Sequence, residues 1–78
     1  MIGASQAWLD WHREHEEALA ELQAAQHAYH RTVANGAFAG TADGPSVAEN
    51  AEMQQASLEA LEAARVRLDQ IRARKPEA

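Results

Sequence analysis

Apolar positions recur along this chain in two long periodic stretches, separated by a short segment with no period at all. From Ser5 to Ala34 there is neither glycine nor proline. Trp8, Trp11, Leu19, Leu22, Tyr29 and Val33 return at heptad-like spacing there, with Ala18 and Ala25 as small steps between them. Glu14, Glu17, Glu21 and Arg31 fall mainly on other faces. The pattern predicts a helix over about 5–34, with Ser5 as its N-cap, Asp10 and Glu14 toward its positive end, and Leu9 widening the seam.

A second seam, Val47, Ala51, Leu58, Leu61, Leu68 and Ile71, predicts a helix over about 46–74 that Pro76 brings to an end. Asn50, Gln54 and Ser57 interrupt its first half. Met53, Ala56, Ala60, Ala63 and Ala64 form a shallower strip beside it.

Between the two lies NGAFAGTADGPS, residues 35–46. Asn35 and Gly36 are the residues that close a helix in the left-handed conformation, and Gly40, Asp43, Gly44 and Pro45 punctuate the remainder of the segment. Ser46-Val47-Ala48-Glu49 fits the capping box, in which a serine hydroxyl and a glutamate carboxylate satisfy each other's backbone amides. The segment 35–45 is therefore a loop.

Folding one helix back on the other sets position i against roughly position 80 minus i. That register brings Trp8 and Trp11 to Ile71 and Leu68, Leu19 and Leu22 to Leu61 and Leu58, and Tyr29 and Val33 to Ala51 and Val47. It also lays acidic Asp10, Glu14, Glu16 and Glu17 beside basic Arg65, Arg67, Arg72, Arg74 and Lys75. The expected fold is all-α: one antiparallel two-helix hairpin spanning 1–78, with 1–4 and 76–78 as loose ends.

Composition turns this hairpin toward association. Hydrophobic residues make up 46% of the 78, but much of that is alanine, which favours helix and buries little area. A chain this short buries only roughly 60% of its unfolded surface. Two helices of about 28 residues, each roughly 40 Å long, share a single mutual interface. The expectation is a homo-oligomer, such as a four-helix bundle or coiled coil, or docking onto a larger protein assembly. The contact residues would be Trp8, Leu9 and Trp11 at one end, Phe38 in the loop, and the strip Met53, Ala56, Ala60 and Ala63.

Net charge is −5, which opposes a protein whose main affinity is for phosphate backbones. No apolar run approaches the roughly 20 residues that span a bilayer, and the start of the chain lacks a signal-peptide plan. The reading is a cytoplasmic protein, or one within a virion. Cysteine is absent, so disulfides and thiolate metal sites are excluded.

Candidate chemistry adds little. His12 and His15 lie one turn apart with Glu16 following His12 at i+4, a spacing that offers two imidazoles and a carboxylate to a metal. The pattern is not HExxH, and no Glu-x-x-His occurs, so the competing reading is two interfacial histidines bonded to Glu or Arg. His27 and His30 form a second pair some 22 Å away along the helix. Ser5 and Ser46 read as caps and Ser57 as a helix-interior residue, and NGAFAG lacks the end of a phosphate loop. No enzyme and no cofactor are expected.

Trp8 and Trp11 serve either as interface anchors or as packing on Leu68 and Ile71. Phe38 either tucks over the hairpin end near Val33 and Val47 or projects as a docking knob. The basic set Arg65, Arg67, Arg72, Arg74 and Lys75 either touches phosphate or pairs with the acidic start of the first helix.

In plan the chain resembles the repressor-of-primer family, whose helical hairpins dimerise into RNA-binding four-helix bundles. The resemblance implies the architecture; the acidic face of the first helix departs from that family's RNA-binding surface. The alanine-rich helices, glycine-rich connector and basic end also look like small helical assembly proteins of tailed phages, such as those at the head–tail junction.

Overall fold

A computed structural model describes residues 5–77. Two helices, α1 (Gln6–Asn35) and α2 (Val47–Ala73), pack antiparallel, and a 3-10 turn over Gly36–Phe38 begins the connection between them. The fold is the all-α hairpin that the pattern predicts. The lead-in at 1–4 and the last residue, 78, lie outside the described residues.

Both helix starts are capped by serine. The Ser5 hydroxyl accepts from the Trp8 amide at 3.1 Å and the Ser46 hydroxyl from the Glu49 amide at 3.0 Å. The second half of the expected capping box is not made: among the described residues, the Glu49 carboxylate has no hydrogen-bond partner.

The exit from α1 differs from expectation. Asn35 and Gly36 are both right-handed (Gly36 φ −58°, ψ −26°), so the chain tightens into the 3-10 turn instead of reversing there. The left-handed residue is Gly40, at φ 81°. What Gly36 provides is room, because a Cβ there would sit 3.3 Å from Asn50 Nδ2 across the hairpin. Gly44 is held more tightly still, since any Cβ would overlap the Phe38 carbonyl. Loop bonds close around these glycines. Gly40 N donates to Pro45 O at 2.8 Å, and Thr41 donates to Phe38 O through its amide (3.1 Å) and its hydroxyl (2.6 Å).

The later turn shifts the register. Facing residue numbers sum to about 86, as at Gly36/Asn50 and Ala18/Leu68, and not to 80, although Trp11 still meets Leu68 and Ile71 as expected. The displacement is about 9 Å along the helix axis. A seam of alternating steps of three and four runs through the inward positions, with half-buried Leu19 and Leu58 beside it: Trp8, Trp11, His15, Ala18, Leu22, Ala25, Tyr29 and Thr32 on α1. On α2 they are Asn50, Gln54, Ser57, Leu61, Ala64, Leu68 and Ile71. This is a heptad seam along both helices.

Val33, Ala51 and Val47, expected inside near the loop, are exposed, and Val47 keeps 66% of its surface in solvent. The polar neighbours Thr32 and Asn50 are buried in their place. Thr32 satisfies itself, donating its hydroxyl to Tyr29 O at 2.7 Å, whereas Asn50 Oδ1 is buried with no partner among the described residues. The apolar core lies at the other, open end. There Ala18, Leu68 and Ile71 are buried together, with Trp11, Leu19 and Leu22 packed against them.

Candidate interaction surfaces

The residues expected as contacts fall in three groups: an aromatic and charged open end, a strip of small residues on α2, and the loop.

At the open end, consecutive turns of α1 put each indole beside an imidazole. Trp8 stacks on His12 (centroids 5.2 Å apart, 7° between planes) and Trp11 on His15 (5.0 Å, 26°), while the two indoles tilt against each other at 6.4 Å. Trp11 also donates its indole N–H to the Ile71 carbonyl at 2.6 Å. That carbonyl, in the last turn of α2, also accepts from the Arg74 amide at 3.1 Å, so one side chain both packs the core and ties the start of α1 to the end of α2. Lys75 Nζ lies 5.5 Å from the Trp11 ring centroid, within cation–π reach. Leu9 is exposed on the next face.

The histidines diverge. His12 Nε2 lies 3.9 Å from Glu16 Oε1, whereas His15 turns inward and its Nε2 accepts from Arg72 Nε at 3.3 Å. An imidazole whose lone pair already takes a guanidinium N–H does not present that nitrogen to a metal. Among the described residues, no three His, Asp or Glu side chains converge as a metal site would require. His27 and His30 are both exposed, His30 tilting against Tyr29 at 6.3 Å.

Of the basic side chains, Arg67 pairs with Glu21, Arg74 with Glu14 at 3.6 Å, and Arg72 with His15. Hydrogen bonding to Glu21, then the charge of that carboxylate, raises the Arg67 pKa above its ordinary value. Burial opposes the shift, while Glu17 and Glu14 add to it. Arg65 is exposed. The acidic start of α1 and the basic end of α2 thus meet across one flank of the hairpin.

That flank changes character toward the loop. One heptad on from Glu21 is Ala28, and one heptad back from Arg67 is Ala60. Positions that carry opposite charges near the open end therefore carry alanine near the loop. Around them Ala24, Ala56 and Ala63 are exposed, and Met53 is 47% exposed. The result is a shallow, uncharged face on which a helix backbone can approach closely.

At the loop, Phe38 is 58% exposed. Its backbone is fixed by Thr41 and hemmed in by Gly44, so the ring stands on a stiff support. Val33 and Val47 are exposed nearby in sequence, and Val66 is exposed on α2. Reading by hydrophobicity passed over exposed Val66 and buried Thr32, and took Asn50 as an interruption of the seam. The signal for Thr32 and Asn50 was the three–four spacing, which holds across both helices regardless of residue polarity.

Comparison with known families, with curated proteins and with solved structures finds no match to this chain.

Proposed function

We propose that this chain is a non-enzymatic helical assembly protein that acts by protein–protein association, its hairpin pairing with another helical hairpin to complete a bundle. The observation that carries the reading is the imbalance between what the hairpin buries and what it leaves wet. Its buried apolar set is Ala18, Leu61, Ala64, Leu68 and Ile71, two of them alanine, while Leu9, Val33, Phe38, Val47, Met53 and Val66 are exposed. The accessible surface is 5704 Å², against about 4,700 Å² for a compact chain of this mass. The excess, on the order of 1,000 Å², is comparable to the roughly 800 Å² that each partner contributes to an ordinary stable interface.

Sedimentation equilibrium over a range of micromolar concentrations tests the reading. The expected result is a mass of at least twice the 8.5 kDa chain. A mass that stays at one chain throughout overturns self-association.

A further inference from the structure

The exposed strip on α2 continues beyond Met53, Ala56, Ala60 and Ala63 at the same alternating spacing, to Glu49 before it and to Arg67 after it. The steps between these six positions are four, three, four, three and four, which read the same from either end. The strip is therefore its own antiparallel complement. Laid against a second copy about an axis level with Leu58, Glu49 meets Arg67, Met53 meets Ala63, and Ala56 meets Ala60.

Each contact makes physical sense. Small residues opposed at the centre let helix axes approach to about 8 Å. Methionine is flexible enough to fill the shallow space above an alanine. The ends carry opposite charges, as an isologous interface needs when one patch serves both subunits. A parallel arrangement would instead set Glu49 on Glu49 and Arg67 on Arg67.

Both charged groups have bonding capacity left. Glu49 uses its amide in the Ser46 cap, and among the described residues its carboxylate has no partner. Arg67 meets Glu21 through Nη1, and a guanidinium has five N–H donors. The patch runs about 27 Å along α2.

We propose that a second copy of this chain docks antiparallel on the Glu49–Arg67 face of α2, with Glu49 of each copy paired to Arg67 of the other. This rests on the association reading above and adds to it the face, the direction and the register.

The test compares dimer affinity by sedimentation equilibrium for the wild type, Glu49→Arg, Arg67→Glu, and an equimolar mixture of the two variants. Each variant alone is expected to dimerise about tenfold more weakly, because two attractive contacts become repulsive. The mixture is expected to regain wild-type affinity as a heterodimer, since both contacts are again between opposite charges. Circular dichroism checks that each variant keeps its helices.

Should a charge reversal unfold the hairpin, cysteines replace it. Ala56→Cys mixed with Ala60→Cys is expected to form a disulfide between chains under mild oxidation, and neither variant alone. Both positions are exposed and the chain has no other thiol. A wild-type dimer whose affinity is unmoved in both charge variants, or cysteine variants that link only to themselves, overturns this face and register while leaving association intact. A wild-type chain that is monomeric throughout overturns both.

Discussion

At the open end the seam positions hold Trp8, Trp11, Leu22, Leu68 and Ile71; at the loop end the same geometry holds Tyr29, Thr32, Asn50, Gln54 and Ser57. One half is joined by apolar packing, an indole hydrogen bond and flanking ion pairs. The other is joined mainly by covalent connection through a stiff loop. The difference separates two jobs that a heptad seam performs. Apolar residues supply cohesion, roughly 25 cal/mol for each Å² removed from water, whereas a buried polar residue supplies little and discriminates between registers. A loop that already fixes the separation of the two helices permits the weaker seam beside it.

The largest effect should come from the cohesive half. Leu68, only 3% exposed, sits in the core with Ala18 and Ile71. Leu68→Ala should cost about 2–5 kcal/mol in urea unfolding. Leu58→Ala, at a half-buried position toward the loop, should cost clearly less. Equal losses would erase the contrast between the halves.

Next is the loop itself. Gly44→Ala places a methyl on the Phe38 carbonyl, so the turn must rearrange. A loss of about 2 kcal/mol is expected, with amide-exchange protection falling first around residues 36–50. Uniform loss along both helices would show that the loop does not hold its own end.

Trp11→Phe keeps most of the packing and removes the bond to the Ile71 carbonyl. It should cost about 1 kcal/mol, and protection should weaken near Arg74 and Lys75.

The smallest effect has the opposite sign. Asn50→Leu replaces a buried, unpartnered oxygen with hydrocarbon of similar shape and should stabilise by up to about 1 kcal/mol. The thermal midpoint reads that gain. If Asn50 sets the register, the variant should also broaden its loop-end NMR signals through sliding between alternatives.

The raised pKa of Arg67 gives no pH dependence in the neutral range. A guanidinium whose folded-state pKa is raised contributes its share below the unfolded value and loses it only as pH climbs through the folded one, beyond ordinary alkalinity.

The helices and their serine caps were legible because their causes are local: no glycine or proline inside, and a serine at each start. The seam near the loop was not. Val33 and Ala51 are more hydrophobic than the Thr32 and Asn50 beside them, and in alanine-rich helices several stripes satisfy the same spacing. The tie is broken by how closely two backbones must approach, and Gly36 opposite Asn50 records that requirement. The same glycine, beside Asn35, looked like a left-handed cap because composition does not distinguish a residue chosen for its dihedral from one chosen for its size. The strip Met53, Ala56, Ala60 and Ala63 was legible as a face. Its charged ends emerge only from the structure, where the Glu49 carboxylate has no partner among the described residues and Arg67 lies on the same flank.

Both tryptophans lie within the first two turns of α1, against the other end of the chain, and the sole tyrosine lies in the opposite half. Indole emission therefore observes one extremity of the rod, whereas helical ellipticity averages over its full length. The molecule carries a built-in test of cooperativity. Superimposable melting curves from the two signals would mean that it melts as a single unit, and a gap between them would time the fraying of one end against the other without any added label.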